Sequence, residues 1–372
     1  MHVVSSLETG GMERVVLRLA SAQQDAGHEV HILALRPGVL EQEARQRGLS
    51  THVLSGGRLQ RTLSTLAWFF RTKPAIVHVH NATSLHYGVL SRFVSRAPIV
   101  VTLHGDLHSR LGSNWEWSRV SAAITVSQAA AHVLTLPASA PQMMVIRNGI
   151  SMPVHAAGAR DRTRAALGLD GKVVGIEVAR VDGKKGHKTL MHAVAALAEP
   201  VRAGVHILVA GDGRDLADVE ALARTLGVTH AVTFLGARTD IDDLLHASDF
   251  FLLPSDTEGV PLSILEAMSH GLPIVASRVG GIPEIVEHER EGLLVPPGDP
   301  QALAAAITRV VSDPDTRASL GTAARLRAAT ELSLDQTVRH YEEAYRKALS
   351  KAGPSDPPYV PPRSDPPYVR SS

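Results

Sequence analysis

Thirteen short apolar or β-branched runs alternate with longer helical patterns along this chain, and that alternation constrains its fold more than any other feature. In the first half the runs are His2–Ser5, Glu29–Leu35, Ser50–Leu54, Ala75–His80, Ile99–Leu103, Ala122–Val126 and Met143–Ile146. In the second they are Val173–Val178, Val205–Ala210, Val232–Leu235, Phe250–Leu253, Ile274–Ala276 and Gly292–Val295. Helical patterns such as Met12–Ala26 and Leu59–Arg71 lie between them. Repeated βαβ units of this kind predict mostly parallel sheets covered by helices. The pattern restarts after the Pro/Gly/Ala-rich stretch Ser151–Ala159, so two Rossmann-like domains are expected, residues 1–152 and 153–332. Ligands of such sheets bind beyond the carboxyl ends of the strands, and two facing domains would hold one between them. An amphipathic helix is expected over 333–350, packing back toward the first domain. A proline- and serine-rich tail, 351–372, repeats SDPPYV at Ser355–Val360 and Ser364–Val369 and is expected to be disordered.

Composition narrows the function classes. The 372 residues contain no cysteine, which excludes disulfides, zinc-thiolate sites, iron–sulfur clusters and thiol nucleophiles. No apolar run reaches the ~18 residues that span a bilayer. The first residues, MHVVSSLETGG, lack the basic-then-apolar order of a signal peptide, so a cytoplasmic location is expected. The chain starts almost directly on its first strand, which looks short; either a few residues precede it or the strand is frayed. Residues 1–152 carry 14 Arg+Lys against 8 Asp+Glu, whereas the remainder carries 24 against 29. A basic first half can attract anionic partners such as phospholipid headgroups, or can be an ordinary fluctuation of surface charge. Nucleic acid is a poor candidate, because no dense basic block or RNA-binding aromatic pattern occurs. The 19 histidines are scattered and form no HExxH-like pair, so no metal site is expected.

The strongest chemical signal is Glu258-Gly-Val-Pro-Leu-Ser-Ile-Leu-Glu266, which follows the strand Phe250–Leu253 and Pro254. Pro261 suits the first turn of a helix. Free amides of Val260, Leu262 and Ser263 would then form a phosphate site at a helix start. Glu258 before the helix and Glu266 one turn inside it would suit a ligand with hydroxyls on both sides of a phosphate, as in a nucleotide sugar. The competing reading is two surface glutamates beside a capped helix. Upstream, Val173–Val178 runs into Ala179-Arg180-Val-Asp-Gly-Lys-Lys185-Gly186, where Arg180 and Lys185 can neutralise a diphosphate or form a solvated basic loop. Near the start, Gly10-Gly11 before a helix permits close approach to a phosphate, or makes a plain turn. Gly211-Asp-Gly213 resembles half of a dinucleotide fingerprint but has Leu216 at the third glycine position. The segment Arg58–Lys73 fits an interfacial helix touching a bilayer, or a helix with Leu59, Leu63, Leu66 and Phe70 facing its sheet. Trp115 and Trp117 could stack on a sugar or simply pack.

Taken in order, these segments resemble a retaining glycosyltransferase of family 4 with the GT-B fold. The resemblance also rests on Thr102-Leu-His104-Gly105, Val126-Ser127, Asn148-Gly149, Phe234-Leu-Gly236 and Ala247-Ser-Asp249. Gly271-Leu-Pro273, Gly280-Gly281-Ile-Pro-Glu284 and Gly292-Leu-Leu-Val-Pro296 complete it. The departures are Ala179, where the family often has glycine, and the short first strand. The resemblance implies two Rossmann-like domains facing each other across a cleft, with the donor site in the second. It implies that Arg180 and Lys185 hold a diphosphate, Glu266 the ribose and Glu258 the transferred sugar. Amides of Gly259, Val260, Leu262 and Ser263, around Pro261, would serve sugar and phosphate. Gly11 would approach the diphosphate, and His104 would lie near the donor sugar as part of the catalytic set. It further implies a UDP- or GDP-type nucleotide sugar as substrate, with neither cofactor nor metal. The acceptor would be a glycan, lipid-linked or small-molecule hydroxyl in cell-surface polysaccharide, lipopolysaccharide or glycolipid synthesis; peripheral contact at the inner membrane surface is expected only from the Arg58–Lys73 segment and the basic first half. The alternatives are a nucleotide-sugar epimerase of the same fold and a catalytically silent nucleotide-sugar-binding subunit.

Overall fold

The computed structural model describes residues 1–8, 10–104 and 111–352. Gly105 and the repeated SDPPYV tail lie outside the described residues. The chain divides into two compact units. One comprises Met1–Asn148 with the chain from Leu334 onward, and the other is Gly149–Ser333.

The first unit holds seven strands: β1 (His2–Val4), β2 (His31–Ala34), β3 (Ser50–Val53), β4 (Val77–His80), β5 (Ile99–Leu103), β6 (Val120–Thr125) and β7 (Met143–Val145). They form one parallel sheet in the order β3-β2-β1-β4-β5-β6-β7. The second unit holds β8 (Val173–Val178), β9 (Val205–Ala210), β10 (Val232–Gly236), β11 (Phe250–Leu253), β12 (Ile274–Ser277) and β13 (Gly292–Val295). Its order is β10-β9-β8-β11-β12-β13, again parallel throughout. Every expected strand forms, and most of these runs are rich in buried apolar residues, as strands sandwiched between helices must be. In each sheet the strand order reverses beside the first strand, between β1 and β4 and between β8 and β11. Such a reversal opens a crevice at the carboxyl ends, where ligands of open α/β sheets bind.

Period-two alternation sorts the side chains. On β4, Val77 and Val79 enter the apolar core with Leu33, Phe69 and Val101. His78 and His80 point to the opposite face. That face is closed by the C-terminal helix Leu334–Ala352, whose Val338, Tyr341, Ala344, Tyr345 and Ala348 pack with Val100, Ile124 and Ile146. In the second unit, Ile207, Val209, Phe250, Leu252 and Val275 meet Leu190, Val194, Leu303 and Ile307 of the covering helices.

The helix Arg58–Thr72 does not turn Leu59, Leu63 and Phe70 toward its sheet, as one of its two readings expected. It buries Thr65, Trp68 and Phe69 against its sheet. Leu59, Leu63 and Phe70 face outward, at 74%, 58% and 68% exposure. The bulkiest aromatics won the inner face, and Arg71 lies over the Trp68 ring, 4.2 Å from its centroid. Among the described residues no helix is long and apolar enough to cross a membrane.

Candidate functional site

In the second unit the loops leaving β8 and β11 meet at the strand reversal. Lys185 Nζ donates to Glu258 Oε1 at 2.6 Å, and Ser255 Oγ donates to the same oxygen at 2.7 Å. The side chains of Lys185 and Glu258 are 25% and 7% exposed, so Glu258 is not a surface glutamate. The backbone joins the loops as well, with Asp256 N donating to Lys184 O at 2.9 Å. Two glycines make this approach feasible. Gly186 has φ +77° and Gly280 has φ +52°. A Cβ on the first would collide with the Pro254 carbonyl, and on the second with the Glu258 carbonyl.

The helix after Glu258 runs Leu262–Ser269 with Pro261 as its N-cap and no side-chain cap. Pro261 therefore precedes the first turn instead of occupying it, and having no N–H it supplies shape and no donor. The helix-start amides of Leu262 and Ser263 have no intrahelical acceptor, which leaves them for an anion. Val260 and Leu262 bury their side chains, at 7% and 8% exposure, so only their backbone can serve a ligand. Glu266 stands one turn into this helix. Arg180 lies on the β8 loop with its side chain 74% exposed, 3.6 Å from Asp182. Lys185, Glu258 and the helix start are thus drawn together, with Arg180 reaching into solvent beside them.

Beneath the loops sits a pair that sequence reading missed. Glu177 on β8 is fully buried, and its Oε1 lies 3.6 Å from His187 Nε2. Desolvation raises the Glu177 carboxyl well above its ordinary range, and Glu258 adds to the rise. Desolvation likewise lowers His187 to about 4. Burial thus disfavours the charged form of both groups, and neither side chain has a hydrogen-bond partner among the described residues.

The first unit places its own candidates just after β1 and just after β5. Gly11 opens the helix Gly11–Asp25, and a Cβ there would meet nothing, so nothing in the fold requires glycine at this position. His104 follows β5 and ends a chain of buried imidazoles. His104 Nε2 lies 3.0 Å from His80 Nδ1, His80 Nε2 lies 2.9 Å from His2 Nδ1, and His2 Nε2 lies 2.8 Å from Gln23 Oε1. Gln23 Nε2 donates to the Tyr345 hydroxyl at 3.2 Å, which turns the amide oxygen toward His2. Burial lowers His104 to about 4 and His2 to about 3, and His80 falls well below its ordinary value. In this neutral chain the donors run in one direction, His104 to His80 to His2 to Gln23. His104 Nδ1 is left as an unprotonated acceptor with no partner among the described residues. Asn81 supports it, accepting from His104 N at 3.2 Å while held at φ +69°, a strained value for asparagine. Trp117 is fully buried and donates to Leu111 O, whereas Trp115 is 49% exposed.

Comparison with known proteins bears on the family and the fold. The model of the family described as "Glycosyl transferases group 1" matches residues 159–327, and that of "Glycosyltransferase Family 4" matches residues 9–152. The N-acetyl-alpha-D-glucosaminyl L-malate synthase of Bacillus anthracis is 26% identical over 91% of this chain and 94% of its own. A D-inositol 3-phosphate glycosyltransferase of Corynebacterium urealyticum is 35% identical over 53% of this chain, and this chain spans about half, 49%, of its length. The crystal structure of Anabaena Alr3699/HepE in complex with UDP superposes with a TM-score of 0.81 at 23% identity, covering 93% of this chain and 98% of that one. That likeness establishes the GT-B fold.

Proposed function

Since the chain belongs to glycosyltransferase family 4, we propose that it transfers a hexosyl group from a nucleoside-diphosphate sugar to a hydroxyl acceptor, with retention of anomeric configuration. The observation that carries this reading is the junction of Lys185, Glu258 and the uncapped helix start at the β8/β11 reversal. Cleaving the sugar–phosphate bond builds negative charge on the leaving diphosphate and positive charge on the sugar. Lys185, Arg180 and the amides of Leu262 and Ser263 stabilise the first charge. The carboxylates of Glu258 and Glu266 fix sugar and ribose hydroxyls. The bond from the anomeric carbon to phosphate oxygen breaks, and a bond to the acceptor oxygen forms on the same face. The acceptor proton passes to the departing diphosphate, so neither catalytic metal nor cofactor is needed. Gly11 and His104 enter this proposal through the family resemblance, for diphosphate and donor sugar respectively.

A UDP-type donor is favoured over a GDP-type one by the UDP and UDP-glucose complexes of HepE. The acceptor is placed among cell-surface glycans and glycolipids, with inositol phosphate and malate as the small-molecule options that the relatives' names suggest. Work at the cytoplasmic face of a membrane fits the outward stripe Leu59, Leu63, Phe70 and the basic balance of residues 1–152. No role with nucleic acid is proposed. The test is release of nucleoside diphosphate from UDP-glucose against an acceptor panel, with product anomeric configuration read by NMR and EDTA present throughout. Acceptor-dependent release with retention supports the reading. Donor binding without release for any acceptor would favour a silent binding subunit.

A further inference from the structure

The fold gathers histidines that are far apart in sequence into two groups of three. In the first unit, His2, His78 and His80 are fully engaged. His78 meets the Tyr345 hydroxyl at 2.7 Å and Thr102 Oγ1 at 2.8 Å, and the other two belong to the chain that ends at Gln23. The second group, His155, His246 and His270, is different. His155 stands in the segment before the helix Ala159–Leu167, His246 near the end of the helix Ile241–Ala247, and His270 just past Leu262–Ser269. One ring nitrogen from each lies within 4.8 Å of the other two; His155 and His246 are partly exposed, and the His270 side chain is 1% exposed. His155 Nε2 and His270 Nδ1 are 3.2 Å apart, and the His155 and His246 rings stack at 3.8 Å. The ring of His246 makes no hydrogen bond among the described residues.

The far nitrogen of His270, Nε2, lies 3.0 Å from Asp242 Oδ1 and donates to it. That bond fixes the tautomer, leaving Nδ1 as a lone pair turned toward the other two rings. A carboxylate behind an imidazole is the usual outer partner of a histidine that ligates a metal. Zinc–nitrogen bonds of about 2.0–2.1 Å in a tetrahedron place nitrogens about 3.4 Å apart, close to the spacing already present between His155 and His270. A rotation of the His246 side chain and a shift of the His155 proton to Nδ1 complete three ligands, with solvent as the fourth. Arg160, the nearby cation, is already paired with Asp249 at 2.5 Å.

We propose that His155, His246 and His270 bind one divalent ion of the zinc class, with Asp242 as the outer partner. Two of these residues end helices that lead into β11 and β12, so the ion sits at the amino-terminal edge of the second sheet. The candidate donor site lies at the opposite, carboxyl edge. The ion therefore fastens the segment around His155 to the sheet and takes no part in transfer.

The test uses the full chain without an affinity tag, stripped with chelator and titrated with zinc chloride by calorimetry. Cobalt serves as a spectroscopic probe of coordination. The expected result is one zinc per chain, a raised melting temperature, and tetrahedral cobalt bands. His155→Ala and His246→Ala should each weaken zinc binding at least tenfold, and Asp242→Asn by about tenfold. Asp242 is exposed, so this last variant reports even where a histidine variant fails to fold. UDP affinity should be unchanged in all three, which separates this proposal from the donor-site reading. No zinc uptake by the wild type, or uptake undiminished in the variants, overturns it.

Discussion

Lys185 and Glu258 form a 2.6 Å ion pair between two loops that leave adjacent strands, at the point where the order of the second sheet reverses. The cation proposed to hold a diphosphate and the carboxylate proposed to hold sugar hydroxyls thus fix each other in position. Removing Lys185 strands a nearly buried carboxylate with Ser255 as its remaining partner.

Lys185→Ala is accordingly expected to lower nucleoside-diphosphate affinity at least tenfold and to cost about 1–2 kcal/mol of stability. Adding Glu258→Gln should recover part of the stability and none of the affinity. A thermal double-mutant cycle measures this, and strict additivity of the two stability losses would contradict the pairing.

Glu177 gives a pH prediction. Its carboxyl is raised in the folded protein, so the folded state holds a proton that the unfolded state releases above its ordinary range. That contribution is present at low pH and is lost as pH rises toward the folded value. Glu177→Gln cannot lose the proton, so its melting temperature should rise relative to wild type between pH 5 and pH 8. A relative fall at pH 8 would mean that Glu177 is ionised and paired.

The buried imidazoles have the opposite sign. His104 is held at about 4, so from about pH 6.5 downward the unfolded chain takes up a proton that the folded chain refuses. Stability falls over that interval, by about 3 kcal/mol at pH 4 from His104 alone. Urea unfolding of wild type against His104→Gln from pH 7.5 to pH 4 should show a shallower decline in the variant. Equal slopes would show that His104 titrates freely in the folded protein.

The stripe Leu59, Leu63, Phe70 is expected to bind vesicles containing anionic lipid and to ignore zwitterionic ones, with binding weakened by salt. Leu63→Asp and Phe70→Asp, both at exposed positions, should abolish flotation and leave folding intact. Flotation unchanged in these variants would assign any membrane affinity to another surface.

The strands were legible because a buried parallel strand such as Val205–Ala210 announces itself by composition, and its limits follow from where that composition stops. The loops carrying Lys185 and Glu258 were legible for a related reason, since chemistry at a strand end sits in one continuous segment. Which face of Arg58–Thr72 turns inward was not, because Trp68 and Phe69 compete with a leucine stripe that has equally good helical spacing. The burial of Glu177 and the strain at Asn81 could not be read either, as one depends on what packs over β8 and the other on a backbone angle. The histidine groups depend on topology alone. His2 faces His78 because β1 pairs with β4, and His155 meets His270 across more than a hundred residues of chain.

The measurement that tests the central claim most directly is a thermal-shift panel of UDP, GDP, ADP and dTDP on the wild type, Lys185→Ala and Glu266→Ala. At 100 times its dissociation constant a ligand adds about 2.7 kcal/mol, a plainly visible rise in melting temperature. The account predicts selective stabilisation by one diphosphate, UDP foremost, abolished in both variants. A folded wild type stabilised by none of the four, or variants stabilised as strongly as the wild type, would contradict it.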